Sequence, residues 1–184
     1  MYLFEKNPQA IEQDSFRQIR ELTELSQFDR DQQQVVMRVV HSLGLPEVAQ
    51  YVRFSDQAVA AGRQALGAKA PILCDVEMVK QGVTKRMIEG EPLCFLNDPS
   101  TAQIAKESGE TRSMAALQLW QDQLAGSVVL IANAPTALYR LLEMLAQGAP
   151  KPALIIAMPV GFVGAAESKQ ALWDAHQSLG IECI

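Results

Sequence analysis

His41 stands just ahead of Gly44 and Pro46 in a run that reads as the last turn of a helix, since glycine ends a helix and proline forbids its continuation. At that end the helix carbonyls favour the imidazolium form, the state a general acid needs; simply capping its own helix is the other role open to it. Ser15 falls in register with Ile11, Ile19, Leu22 and Leu25 on an earlier helix. Its hydroxyl either bonds back to the carbonyl four residues earlier or faces a pocket. Arg112 lies in a first helical turn opened by Thr111, where a cation opposes the helix dipole. Such an arginine is either a plain surface residue or the partner of an anion that also meets free helix amides. Two turns add backbone chemistry. Asn133-Ala134-Pro135-Thr136 and Gly161-Phe162-Val163-Gly164 each follow an apolar run and open a helix. Asn133 either braces its turn or points its amide into a cleft, Thr136 follows a proline suited to the first helical position, and Gly161 and Gly164 permit close backbone approach. Lys169 in the first turns of the last helix, and Thr84 in a polar loop beside Lys85 and Arg86, complete the candidate binding residues. Together these residues suggest a site for an anionic ligand.

The elements that must position them alternate. Short, β-branched, non-alternating apolar runs at 128–131 and 154–156 read as strands covered on both faces, with further strands at 51–54, 71–76 and 93–96 and a last one beginning at 181. Helices are expected over 9–25, from Asp29 or Asp31 to Leu43, over 56–66 with Ser55 as N-cap and Gly67 as stop, from Pro99 to Ser108, and from Thr111 through Leu124. Another runs from Pro135 to a stop at Gly148, and a last one carries Glu167, Trp173 and His176, the histidine read as structural or at the surface. The second helix, with Val35, Val36, Met37, Val39 and Val40, should be buried. This order predicts a single-domain α/β fold over 1–184: a mainly parallel sheet with helices on both faces, a Rossmann-like three-layer arrangement. Ligands then bind past the carboxyl ends of the strands, where both turns lie.

Composition narrows the function. A chain of 184 residues, 48% hydrophobic, suffices for one sizeable core. It has no apolar run near the ~20 residues of a membrane span, and its start lacks a signal peptide's pattern, so a soluble cytoplasmic protein is expected. A formal charge of −5 without a basic cluster argues against nucleic acid. Cys74, Cys94 and Cys183 are too far apart to suggest disulfides or a metal site and read as core residues. The glycine turn matches neither a P-loop nor a dinucleotide fingerprint.

Four segments, PILCDVEMV at 71–79, TRS at 111–113, NAPTAL at 133–138 and PVGFVGAAESK at 159–169, resemble the precorrin-8X methylmutases of cobalamin biosynthesis, with similarity running in order from about residue 11 to residue 184. The resemblance implies an isomerase that moves a methyl group from C11 to C12 of a corrinoid macrocycle, giving hydrogenobyrinate or its cobalt-containing counterpart. It implies no cofactor and no protein-bound metal, a tetrapyrrole substrate, and a homodimer with active sites at the subunit interface. The family's catalytic histidine matches His41, and its substrate contacts match Ser15 and Arg112. Thr84, Asn133, Thr136, Gly161, Gly164 and Lys169 join them as substrate-binding candidates. The family usually continues into a short arginine- and glycine-rich tail that this sequence lacks. A non-catalytic corrinoid-binding protein is the alternative.

Overall fold

The computed structural model of the protein describes residues 2–184, which divide into two compact units, the first ending at Arg53 and the second spanning Phe54–Ile184. In the first, helix α1 (Pro8–Leu22) begins where the Asn7 side chain accepts the Gln9 and Ala10 amides and Pro8 fills the first helical position. It ends at an extended Thr23, short of the expected residue 25. The expected apolar stripe is not a core face: Ile11 is 47% and Leu22 69% exposed, and only Leu25, past the helix, is buried among its larger members. Helix α2 (Arg30–Leu43) is set by a capping box between Asp29 and Gln32. Gly44 stops it at φ +68°, a left-handed conformation that favours glycine, and returns its amide to Val40 at 2.8 Å. Val36, Met37 and Val40 are buried while Val35 and Val39 are half-buried, so α2 is covered on one face rather than all round. A 3-10 turn (Pro46–Tyr51) follows, and the Val52 amide closes it on Ala49 at 3.1 Å. The strand expected at 51–54 is therefore absent: its first residue is spent on that turn, and β-propensity without a partner strand forms no ladder.

The second unit is built on three parallel strands in the order β1 (Ile72–Cys74), β2 (Val128–Ile131) and β3 (Leu154–Ala157), with Ile72 opposite Val128 and Val128 opposite Leu154. The runs expected at 93–96 and at the chain's end contribute single parallel bridges, Leu93 to Leu73 and Cys183 to Ile155. Because side chains alternate along a strand, one face of the sheet presents Leu73, Val129, Ile131 and Ile155 to a core shared with Trp120 and with Leu138 and Leu141 of helix α8 (Pro135–Ala146) and Leu172 of helix α9 (Ala165–Leu179). The other face presents Ile72, Cys74, Val128 and Leu154 to Ala58 and Ala65 of helix α3 (Ala58–Gly67). The result is the three-layer α/β arrangement expected. Helices α4 (Glu77–Gly82), α5 (Pro99–Ser108), α6 (Arg112–Ala116) and α7 (Gln121–Leu124) complete the unit.

Three local expectations fail for physical reasons. Ser55 does not cap a helix at 56: it is buried, its hydroxyl donates to the Glu182 carboxylate and accepts the Cys183 amide at 2.8 Å, while Glu182 takes the Gln57 amide at 2.9 Å. The serine fastens the last segment of the chain instead. Gly67 does not carry the left-handed stop of α3, which falls on Lys69 at φ +59°. The helix expected over 111–124 breaks into α6, a 3-10 turn (Leu117–Trp120) and α7. A 3-10 pitch stacks residues three apart, and it puts Leu117 and Trp120 into the core together. No helix among the described residues is long and apolar enough to cross a membrane.

Candidate active site

In the first unit, α2 delivers His41 to its last turn, as its position before Gly44 predicts, and leaves it exposed. The imidazole lies flat on Phe16 of α1, with ring centroids 5.2 Å apart and planes 3° from parallel. Arg38, one turn earlier on α2, sets its guanidinium 4.4 Å from the centre of the same phenyl ring and donates to Glu12 Oε1 at 3.0 Å. Ser15 precedes Phe16 on α1; its hydroxyl is bonded back to the Ile11 carbonyl at 2.8 Å, the first of the two roles open to it.

In the second unit the candidate groups gather past the carboxyl ends of the strands. Asp75, directly after β1, is 1% exposed and turns its carboxylate to the chain leaving β2: Oδ1 accepts the Ala132 amide at 3.4 Å, and Oδ2 accepts those of Asn133 and Ala134 at 2.9 and 2.8 Å. Pro135 then opens α8 from the first helical position. The amides of the Asn133 turn therefore already hold an internal anion. These three amides lie ahead of α8 and brace the turn that presents Asn133 and Thr136. The Thr136 hydroxyl meets that of Thr111 at 3.2 Å, and Thr111 caps α6 by accepting the Met114 amide at 3.2 Å. This contact sets Arg112, the first residue of α6, beside the α8 turn. Arg112 Nη2 donates to the Leu96 carbonyl at 2.8 Å and to Asn97 Oδ1 at 3.0 Å, so the arginine is oriented rather than loose.

The third turn runs from β3 to α9. Gly161 has φ +123° and Gly164 φ +76°, conformations that side chains rarely adopt, and a Cβ on Gly164 would stand 3.6 Å from Pro135 and from Tyr139. That proximity packs the start of α9 on the first turns of α8 and draws the glycine turn to Asn133 and Thr136. Val160, Phe162 and Val163 are exposed around it. Lys169 is exposed on α9, and Thr84, exposed, precedes the 3-10 turn Lys85–Met87. Among the described residues neither makes a hydrogen bond to the rest of the group.

Two clefts among the described residues open at the amino ends of the strands, one lined by Lys69, Pro71 and Glu89, the other by Asp122, Gln147 and Pro150; neither contains a candidate site residue. The cysteines are free thiols, with burial pushing Cys74 up to about 12 and Cys183 up to about 11, so both stay protonated at neutral pH and neither is a ready nucleophile. His176 is buried and its Nδ1 meets the Trp173 carbonyl oxygen at 2.5 Å, a structural role as expected. Sequence reasoning missed Phe16, Arg38, Asp75 and Asn97. Asp75 alone had a signal, a charged residue closing an apolar run.

Comparison with known proteins bears on the chain as a whole. The precorrin-8X methylmutase family matches residues 10–184. A precorrin-8X methylmutase from Sinorhizobium sp is 51% identical over 182 residues, 98% of this chain and 86% of that protein, and one from Pseudomonas aeruginosa is 50% identical over 181 residues, 97% and 86% of the two. A crystal structure of the precorrin-8X methylmutase from Thermus thermophilus superposes with a TM-score of 0.84 at 35% identity, covering 95% of this chain and 84% of that one.

Proposed function

The chain belongs to the precorrin-8X methylmutase family, isomerases of cobalamin biosynthesis, and from that premise we propose that it moves a methyl group from C11 to C12 of precorrin-8X or cobalt-precorrin-8, with His41 as general acid. One carbon–carbon bond breaks at C11 and one forms at C12, so atoms and electrons balance within the macrocycle. What the reaction needs is an electron-poor ring system. His41, as imidazolium, gives a proton or a strong hydrogen bond to a ring nitrogen and recovers it as product forms. General acid help supplies about 10²- to 10⁴-fold, and positioning of the macrocycle contributes the rest.

The observation that carries this reading is the placement of His41 at the exposed carboxyl end of α2, with its ring plane held against Phe16. Arg112 and Lys169, together with the turn at Gly161 and Gly164, meet the carboxylates on the substrate's rim; Ser15, Thr84, Asn133 and Thr136 supply neutral contacts. Exposed Val160, Phe162 and Val163 support a homodimer with shared active sites, which light scattering of the purified protein checks.

The test is spectroscopic. Incubation of the folded protein with precorrin-8X, and separately with its cobalt form, should give the orange corrin product from at least one of them. Binding without conversion of either would make the protein a corrinoid carrier and remove the enzyme reading.

A further inference from the structure

We infer that Phe16 is the positioning residue for His41, fixing the plane of the imidazole so that its N–H points along one direction; the inference rests on the reading of His41 as proton donor. His41 is exposed, so close packing does not choose its rotamer. A histidine ring turns about two side-chain torsions, the second of them broad, and an unsupported ring sweeps its donor over a wide arc. The phenyl ring removes that freedom. At 5.2 Å between centroids and 3° between planes, the contact lies within the range of a stacked aromatic pair.

Phe16 is itself held from both helices. The Arg38 guanidinium sits 4.4 Å from its ring centre, and Glu12, one turn before Phe16 on α1, receives the Arg38 Nη1 hydrogen bond at 3.0 Å. Glu12 and Phe16 on α1, and Arg38 and His41 on α2, are thus same-face neighbours on their helices that interlock as one group. Stacking occupies a face of the imidazole and leaves its rim uncovered by that contact. Both ring nitrogens lie in the plane of that rim, where an in-plane acceptor such as a macrocycle nitrogen must approach.

Two substitutions separate bulk from aromatic support. Phe16→Leu keeps an apolar side chain without a ring, and Phe16→Tyr keeps the ring; α1 buries no residue, so both should leave the full chain folded. With precorrin-8X, Phe16→Leu should lower kcat about three- to tenfold, the range one aromatic contact supplies, with KM changed less than about twofold, and Phe16→Tyr should restore kcat. In proton NMR the His41 ring signals should lose the ring-current displacement in Phe16→Leu and keep it in Phe16→Tyr. Wild-type kcat in Phe16→Leu, equal impairment of both variants, or ring signals that do not move would each overturn the inference. If the wild-type protein converts no substrate, the proposed function falls, and the NMR comparison still decides whether Phe16 orients the ring.

Discussion

His41 in the first unit and Asp75 in the second are held in opposite ways. His41 is exposed on a pair of helices whose first member buries no residue, and its known supports are a phenyl face and, behind that, an exposed ion pair. Asp75 is sealed beside a parallel sheet and satisfied by three successive amides. The difference teaches how the two kinds of function are built. A proton donor must reach its substrate, so it is oriented by contacts that leave an edge open. The turn proposed to bind must keep one shape, and Asp75 fixes it from beneath.

Substitutions at the two anchors should therefore separate activity from stability. His41→Ala should lower turnover about 10²- to 10⁴-fold in a steady-state assay, while urea denaturation shows a change within about 0.5 kcal/mol, as for an exposed side chain. Asp75→Ala should do the reverse first: it orphans three amides and should cost about 3 kcal/mol or more by the same denaturation, lowering activity through loss of the Asn133 turn. Removing the exposed Glu12–Arg38 pair should cost less than about 1 kcal/mol. An Asp75→Ala protein as stable as the wild type would break the comparison.

The contrast also explains what could be read from the sequence. Strands β2 and β3 were legible because a strand covered on both faces is a short apolar run wherever it lies, and Pro135, Gly44 and Gly164 mark helix ends through their own backbone geometry. His41 was legible because a helix end is local. The run at 51–54 has the composition of a strand but no neighbour to pair with, and composition does not report neighbours. Ser55 looked like a cap because serine before a helix usually is one; its partners lie at Glu182 and Cys183, beyond any local window. Asp75 reaches amides 57 to 59 residues away, and Phe16 meets His41 across two helices. The candidate binding residues were therefore found by local signals, and the groups that orient them were not.

Buried thiols occur in the sheet unit, and they sharpen the comparison through pH. Burial raises Cys74 from its ordinary 9.0 to about 12. Above pH 9 the unfolded chain releases a proton that the folded chain keeps, so the unfolded state binds fewer protons and stability falls as pH rises. Each group of this kind contributes a slope approaching ~1.4 kcal/mol per pH unit between the two values and nothing below the lower one. Between pH 8 and pH 10, in reducing buffer, the wild type should lose about 1 kcal/mol more than Cys74→Ala in urea denaturation. Equal losses would mean that the strand β1 side chain is not shielded as the structure describes.

The smallest effect tests whether the sheet unit can be stabilised away from the carboxyl ends of its strands. Lys69 ends α3 in a left-handed conformation at φ +59°, near the amino end of β1, with its ammonium 2.5 Å from the Glu89 carboxylate in an exposed pair. A side chain there costs about 1–2 kcal/mol relative to glycine, partly offset by the roughly 0.5–1 kcal/mol of extra chain entropy that glycine loses on folding. Comparing Lys69→Gly with Lys69→Ala cancels the loss of the ion pair, since both remove it. The glycine variant should be the more stable by about 0.5–1 kcal/mol, with kcat and KM equal in the two. A difference in KM would show that the two ends of the sheet are mechanically coupled, and the separation between a rigid scaffold and an exposed, oriented donor would have to be redrawn.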